Sequence, residues 1–269
     1  MNFDNRPIGV FDSGIGGITV LRELVKTFPN ESFIYLGDTA RLPYGSKSAE
    51  TVRKYILQNM NFLVSRNVKA IVVACNTAST QVYETSFEGR PVYNVIDPGS
   101  QLASQVTENK KIAVLATRGT ISAGSYTKKI KKLLPDAEVL SQACPLFVPL
   151  AEEGWYDDPI TNLIAYRYLN HLKNANVDTV VLGCTHYPLL KTAIRKVFGN
   201  HVHLVDSGEA ISRQLTDDFN NLVLKKSEPH PNFLTIALTD ASEQFETLSH
   251  ELLCSVMSTQ IHFETVTVI

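Results

Sequence analysis

Two cysteines occupy matching surroundings in this sequence. Cys75 follows the largely apolar run Ala70–Ala74, Cys184 follows Thr179–Gly183, and two polar residues come after each cysteine. The second run lies 109 positions after the first (184 minus 75), about the length of one α/β domain. We interpret the repeat as two related domains that each carry one thiol, with chance repetition of a simple strand–cysteine pattern as the alternative. A helix starting after each cysteine would favour its thiolate form.

The other two cysteines have different surroundings. Cys254 lies in an apolar helical pattern and is predicted to be a core residue. Cys144 precedes Pro145 beyond a strand end, where packing is favoured over a role in the site. The sequence has no Cys-x-x-Cys motif and no paired Cys/His spacing, which argues against a metal site.

Polar residues also follow the other predicted strands. They are Asp12-Ser13, Asp38, Tyr44-Gly45, Asn76-Thr77, Thr117 with Thr120, Glu152 with Glu153, and Thr185-His186. Because ligands bind at the carboxyl ends of strands in α/β sheets, this set predicts an active site. His186 lies two residues after Cys184, so it is a candidate acid, base or electrostatic partner. A packing or capping role at a helix start is the alternative for His186.

A glycine-rich turn follows the first predicted strand. Asp12–Gly17 lacks the third glycine of a dinucleotide fingerprint, because position 19 is Thr19, and the chain has no Walker motif. Such a turn can offer backbone N–H groups to a carboxylate. The alternative is a tight turn in which Asp12 or Ser13 caps the next helix.

The bulk properties exclude several classes of protein. Of the 269 residues, 44% are hydrophobic and 19% charged, which provides for buried cores. The formal net charge of −2 argues against a nucleic-acid or membrane-surface partner, and we interpret the basic run Lys128–Lys132 as a solvated helix face. Met1–Pro7 is polar, unlike a signal peptide, and no apolar run approaches a membrane span. Together with four cysteines, this predicts a cytoplasmic protein with free thiols.

Short β-branched runs alternate with amphipathic helical patterns along the chain, which predicts an α/β fold with parallel sheets. The predicted strands are Ile8–Phe11, Ser32–Leu36, Ala70–Ala74, Val92–Ile96, Ile112–Ala116, Glu138–Gln142, Thr179–Leu182, His203–Val205, Leu234–Leu238 and His262–Val268. Predicted helices include Ser48–Val64, Pro159–Leu172 and Gly208–Leu222, the first capped at Ser48.

The predicted domains are discontinuous. Asp97-Pro98-Gly99 has strong turn chemistry and marks one boundary, and Asp206-Ser207-Gly208 marks the return of the chain. The first domain is predicted to comprise residues 1–97 plus 208–269, and the second residues 98–207.

Taken in order, these motifs resemble the glutamate racemases over essentially the whole chain. The matching elements are Asp12-Ser13-Gly14-x-Gly16-Gly17, Asp38 with Pro43-Tyr44-Gly45, Ala74-Cys75-Asn76-Thr77, Pro149-Leu150-x-Glu152 and Gly183-Cys184-Thr185-His186. The resemblance implies two pseudosymmetric α/β domains with the active site between them, no cofactor, and a homodimer. It also implies conversion of glutamate to the D-glutamate used for bacterial peptidoglycan.

The resemblance also implies roles for individual residues. Cys75 would act on the D-glutamate face and Cys184 on the L face, with Asp12 assisting Cys75, and with Glu152 and His186 assisting Cys184. By position, the substrate contacts would be Asp12, Ser13, Tyr44, Gly45, Asn76, Thr77, Thr117, Thr120, Thr185 and His186. Glu153 is the alternative to Glu152 as the functional carboxylate.

The chemistry of racemisation fits a pair of thiols. One group must act as a base and remove the Cα proton, and a second group must act as an acid and return a proton to the opposite face. The thiolate of a thiol with pKa ~8.5 is a far weaker base than a carbanion. Hydrogen-bond donors to the substrate carboxylate, exclusion of water and positioning of the reacting groups must therefore lower the barrier. Three alternatives remain open: an aspartate racemase, a cysteine amidase that uses Cys184 with His186, and a two-domain binding protein without chemistry.

Overall fold

The computed structural model describes residues 3–228, 232–257 and 261–269. The part of the predicted first domain at residues 1–2, 229–231 and 258–260 lies outside this description. The strands are β1 Ile8–Asp12, β2 Phe33–Gly37, β3 Ala70–Val73, β4 Ser86–Phe87, β5 Arg90–Asn94, β6 Lys111–Ala116, β7 Glu138–Ala143, β8 Thr179–Gly183, β9 His203–Asp206, β10 Leu234–Leu238 and β11 Ile261–Thr265.

The α-helices alternate with these strands. They are α1 Gly17–Thr27, α2 Ala49–Ser65, α3 Asn76–Ser79, α4 Ile96–Val106, α5 Arg118–Ala123, α6 Ser125–Leu133, α7 Phe147–Glu152, α8 Pro159–Asn174, α9 Lys191–Phe198, α10 Ser207–Asn220 and α11 Glu243–Leu253. Within the described ranges, no helix is both long and apolar enough to cross a membrane.

The strands form two sheets among the described residues. The first has the order β11-β10-β2-β1-β3-β5-β4 and is parallel except for the short antiparallel pair β4–β5; the second has the order β7-β6-β8-β9 and is parallel. The predicted α/β fold with parallel sheets is therefore confirmed. The first sheet takes strands from both ends of the chain, as the predicted discontinuous domain requires, while the domain limits at 97 and 208 stay a prediction.

Helices cover both faces of each sheet, which explains the apolar strands. On the first sheet, Leu21 of α1 and Ile211 of α10 join one core cluster and Ile56 of α2 joins another. On the second sheet, Leu169 of α8 and Ile130 of α6 belong to separate clusters on opposite sides. Each sheet thus has its own buried core, and its strand ends are free to carry polar groups.

Two local predictions were wrong. The predicted strand Val92–Ile96 is β5, two residues earlier, because the Asn94 side chain accepts the N–H groups of Ile96 and Asp97 and starts α4 there. The predicted turn at Pro98 lies within the first turn of α4, where a helix tolerates proline because the N–H that it lacks has no helical partner there. The predicted cap of α2 is correct: Ser48 accepts the Thr51 N–H at 3.2 Å.

The prediction for Cys254 was also wrong. Cys254 is exposed, because α11 ends at Leu253 and that leucine takes the last core position. Cys144 is fully buried, and its thiol donates to the Gln142 carbonyl at 3.7 Å, in agreement with a packing role. The lysines of the basic run are exposed on α6, as predicted, and Lys129 pairs with Asp97 at 2.8 Å.

Candidate active site

Cys75 lies at the junction between β3 and α3. Its sulfur caps the short helix by accepting the Ala78 N–H at 3.4 Å, and its thiol lies 3.8 Å from the Ser13 hydroxyl, to which it donates. The side chain is 5% exposed. β3 therefore ends by placing a buried thiol against the loop that follows β1.

The electrostatic environment of Cys75 differs from the prediction. Burial raises the pKa of this thiol, and the charge of Asp12 raises it further, whereas the hydrogen bonds from Ala78 and with Ser13 only partly offset these effects. The helix that follows has only four residues, so its dipole contributes little. The neutral thiol is thus the resting form of Cys75, and its thiolate is a strong base when it forms.

Cys184 follows β8 and has an imidazole partner. Its sulfur lies 3.8 Å from His186 Nδ1, and His186 Nε2 lies 3.1 Å from Glu152 Oε1. Burial opposes protonation of His186, but its hydrogen bonds with Cys184 and Glu152 raise its pKa to about 10. Glu152, at the end of α7, is therefore the carboxylate that reaches the site, whereas Glu153 is exposed. The helix predicted after Cys184 begins as a 3-10 turn, Tyr187–Leu190, and continues as α9.

Asp12 connects the two cysteine loops. This fully buried carboxylate accepts the Gly14 N–H at 3.0 Å and the Thr185 hydroxyl at 3.3 Å. Burial raises the pKa of Asp12, and the positive charge of His186 opposes that rise. Asp12 thus contacts Thr185, beside Cys184, and also lies near Cys75. The prediction had given it a role at Cys75 alone.

The glycine-rich turn is required by the close approach of the Cys184 loop. A Cβ on Gly16 would lie 2.4 Å from Thr185 Oγ1 and 2.5 Å from His186 Nδ1. Thr19, in the first turn of α1, donates its hydroxyl to the Thr185 carbonyl at 2.8 Å. The N-cap position of α1 is Gly16, and the Asp12 carboxylate accepts the N–H of Gly17, the first residue of the helix, so the predicted alternative in which Asp12 caps α1 agrees in part with the structure.

Three threonine hydroxyls meet between the two sheets. Thr77 Oγ1 lies 3.0 Å from Thr117 Oγ1 and 3.1 Å from Thr120 Oγ1, and the latter two are 3.1 Å apart. Gly45 packs against Thr117, since a Cβ there would lie 3.0 Å from Thr117 Cβ. Residues that follow strands of different sheets are thereby brought into direct contact.

Tyr44 is held by a buried polar network. Its hydroxyl donates to Asp38 and accepts from Asn59 Nδ2 at 3.0 Å, and Asp38 also binds Arg41 at 2.8 Å. Burial and the Asp38 carboxylate both raise the pKa of Tyr44. The Tyr44 hydroxyl is thus committed to a network that fixes the Pro43–Gly45 segment, and Tyr44 is one of the residues that line the cavity described below.

The side chain of Asn76 is also committed to protein contacts. Its Oδ1 accepts the Tyr126 hydroxyl at 2.6 Å, and its Nδ2 donates to Ser207 Oγ at 3.1 Å. Neither partner was predicted from the sequence. Ser207 directly follows β9 and satisfies the rule that found the other polar residues, whereas Tyr126 lies inside α6 and carries no such signal.

Both cysteines line one small cavity of about 40 Å³. Its lining residues are Ser13, Pro43, Tyr44, Gly45, Cys75, Asn76, Thr77, Thr117, Val148, Cys184, Thr185 and His186. Asp12, Thr120 and Glu152 lie one contact behind this lining. An outer cavity of about 730 Å³ shares Pro43, Gly45, Thr117 and Val148 with it. Among the described residues, no cluster of three or more His, Cys, Asp or Glu is arranged to hold a metal ion.

Comparisons with known proteins identify the family to which the chain belongs. The family model of the Asp/Glu/hydantoin racemases matches residues 8–215. The chain is 52% identical over 210 residues to a glutamate racemase of Geobacter metallireducens, with 77% of this chain and 78% of that protein covered.

Two solved structures show the same fold. One is a glutamate racemase isoform of Bacillus anthracis, with a TM-score of 0.90, 33% identity and 97% of each chain covered. The other is a glutamate racemase of Francisella tularensis in complex with D-glutamate, with a TM-score of 0.87, 38% identity and 98% of each chain covered.

Proposed function

The chain belongs to the glutamate racemase family, and we propose that it interconverts L- and D-glutamate with Cys75 and Cys184 as its two bases. The observation that carries this proposal is the cavity lined by both thiols, one from each sheet. An amidase needs one cysteine and leaves the other thiol without a role.

The reaction moves one proton at each face of Cα. For L-glutamate, the Cys184 thiolate takes the Cα proton, so that the C–H bond breaks and an S–H bond forms. The neutral Cys75 thiol then gives its proton to the opposite face, which forms the new C–H bond and leaves a Cys75 thiolate. In the reverse reaction this Cys75 thiolate takes the Cα proton of D-glutamate, and the Cys184 thiol gives its proton to the opposite face and returns to the thiolate. No cofactor is needed for this sequence of steps.

The surroundings of the thiols reduce the difference in basicity between the thiolates and the Cα carbanion. The raised pKa of Cys75 makes its thiolate a stronger base, closer in basicity to the carbanion. On the other side, His186 is held protonated by Glu152 and stabilises the Cys184 thiolate through Nδ1. Asp12 assists by fixing Thr185 and by its charge near Cys75.

Neutral donors dominate the proposed substrate site. Within the lining residues described, His186 is the one side chain that can carry a positive charge, so two substrate carboxylates must be held largely by hydroxyl and N–H groups. Ser13, Thr77 and Thr185 supply such groups, and the Asn76 contact comes through its backbone. Because the inner cavity of about 40 Å³ is smaller than a glutamate molecule, substrate binding must widen it toward the outer cavity.

Incubation with L-glutamate in D₂O, without added cofactor, tests the proposal. Loss of circular dichroism with one deuterium incorporated at Cα is the expected result. Release of ammonia would identify an amidase instead, and no change in the substrate would leave only a binding function. A parallel incubation with aspartate separates the glutamate enzyme from an aspartate racemase.

The proposal extends to the cellular setting. D-glutamate formed in this way would supply peptidoglycan synthesis, and the free cysteines favour the reducing cytoplasm. We also propose a homodimer, supported by the exposed Ile160, Leu163 and Tyr166 on α8. Light scattering at two protein concentrations tests the dimer, and a monomer at both would refute it.

A further inference from the structure

One buried side chain outside the cavity lining contacts both cysteine loops. Tyr126 lies in α6 and is 3% exposed. Its hydroxyl donates to Asn76 Oδ1 at 2.6 Å, and Asn76 directly follows Cys75. The edge of its ring packs on Gly183, where a Cβ would lie 3.1 Å from Tyr126 Cε2, and Gly183 directly precedes Cys184.

Small residues leave room for the ring. Gly99 of α4 is its second glycine contact, because a Cβ there would lie 3.3 Å from Tyr126 Cε1 and from the hydroxyl oxygen. The ring is thus seated between Gly99 and Gly183, and its hydroxyl is directed at Asn76. A larger residue at either glycine would displace the tyrosine.

The hydrogen bond of Tyr126 belongs to a closed buried group. Asn76 Nδ2 donates to Ser207 Oγ at 3.1 Å, so α3, α6 and the first residue of α10 meet at one amide. Buried neutral hydrogen bonds are costly to leave unmade, because the freed groups have no water to bind. The group therefore fixes Tyr126 relative to the Cys75 loop, and the packing of its ring on Gly183 extends this constraint to the Cys184 loop.

We infer that Tyr126 is a positioning residue that fixes the separation of Cys75 and Cys184. The inference rests on the proposed racemisation, which requires both sulfurs to reach one Cα from opposite faces. Proton transfer tolerates little displacement of the reacting atoms. A residue that touches the neighbour of each cysteine controls that displacement without contacting the substrate.

Tyr126→Phe tests this role. Phenylalanine keeps the ring between the two glycines and removes only the hydroxyl. We expect kcat in both directions to fall about tenfold, in line with one lost buried hydrogen bond, while KM changes less than about twofold because the groups that bind substrate remain. A kcat within twofold of the wild-type value overturns the inference.

Tyr93→Phe is the matched control. Tyr93 is 6% exposed, and its hydroxyl donates to Asp218 at 2.7 Å and not to a residue beside either cysteine. Both variants lose one tyrosine hydrogen bond, so their melting temperatures should fall similarly, but Tyr93→Phe should keep kcat. If Tyr93→Phe lowers kcat as much as Tyr126→Phe, general destabilisation explains the effect and the positioning role is refuted.

Alkylation provides a readout that needs no glutamate. The rates at which iodoacetamide modifies Cys75 and Cys184 are followed by peptide mass spectrometry in the wild type and both variants. Tyr126→Phe should raise both rates several-fold, because looser loops expose the buried thiols, and Tyr93→Phe should not. Unchanged rates in Tyr126→Phe overturn the inference, whereas a wild-type chain that fails to racemise glutamate overturns the proposed function.

Discussion

The two cysteine loops share a backbone design but differ in their chemistry. Cys75 and Cys184 each follow a buried parallel strand, and both line the same cavity. Cys75 has a hydroxyl partner, Ser13, and a pKa raised by burial and by Asp12. Cys184 has His186, which is itself held by Glu152. Two loops of similar backbone design thus provide two unlike acid–base environments.

The difference follows from the substrate. The two faces of Cα in glutamate place the other substituents in mirror-related positions, so one set of partners cannot serve both sulfurs. Cys75 rests as a neutral thiol whose thiolate is strongly basic, and Cys184 is supported by the His186 cation. Equal chemistry at the two sites is therefore not required for a reversible reaction with an equilibrium constant of one.

Removal of either thiol has the largest expected effect. Cys75→Ala and Cys184→Ala should each lower kcat in both directions about 10³-fold or more, because a complete turnover uses both groups. Racemisation followed by circular dichroism is the measurement. Cys254→Ala is the matched control, since Cys254 is exposed, and it should retain full activity. Normal racemisation by either active-site variant would falsify the two-base scheme.

Crowding of the Cys184 loop has the next largest effect. In Gly16→Ala the new methyl group meets Thr185 and His186, so the loop must move. We expect kcat to fall about 10²-fold, the size associated with a displacement of about 1 Å at a reacting group. Steady-state kinetics in both directions provide the test.

Gly14→Ala separates this effect from a general one. A Cβ on Gly14 meets only Leu42 Cδ2, at 3.3 Å, and that flexible side-chain end can move. Its kcat should stay within about threefold of wild type. An equal loss in both glycine variants would place the sensitivity in the turn itself and not in its contact with the Cys184 loop.

Much of the fold could be predicted because its signals are local. The strand Leu234–Leu238 and the helix start at Pro159 agree with β10 and α8 to the residue. Apolar runs and caps act within a few residues of the chain, so they can be recognised from the sequence alone. The wrong bounds of β5 had a local cause too, the Asn94 cap, which went unrecognised.

The candidate site could be predicted only as a set of positions. The rule that polar residues follow strands identified most of the cavity lining, since parallel strands end at one edge of their sheet. It could not show that Thr185 binds Asp12, or that Tyr126 binds Asn76, because these contacts join distant parts of the chain. The depth at which Cys75 is buried could not be predicted from the sequence either, and this burial is the largest cause of its raised pKa.

The variant with the smallest expected effect, Glu152→Gln, tests the difference between the two cysteine loops most directly. Glu152→Gln removes the charge that supports His186 while keeping the size of the side chain. We expect kcat to fall about tenfold, in line with one charge-assisted hydrogen bond. In the proposed scheme Cys184 removes the proton from L-glutamate, so the isotope effect of Cα-deuterated substrate should rise mainly in the L-to-D direction. Glu153→Gln, at the exposed neighbouring position, is the control and should behave as wild type.

The same variant has a pH signature. The pKa of His186 is about 10 in the folded chain against its ordinary 6.5, so protonation stabilises the fold. This stabilisation is complete below about pH 6.5 and is lost as the pH rises through about 10. The melting temperature of Glu152→Gln should therefore lie below that of wild type at pH 6, and the gap should close by pH 10. A gap independent of pH would show that Glu152 supports the fold by packing and does not hold the proton on His186.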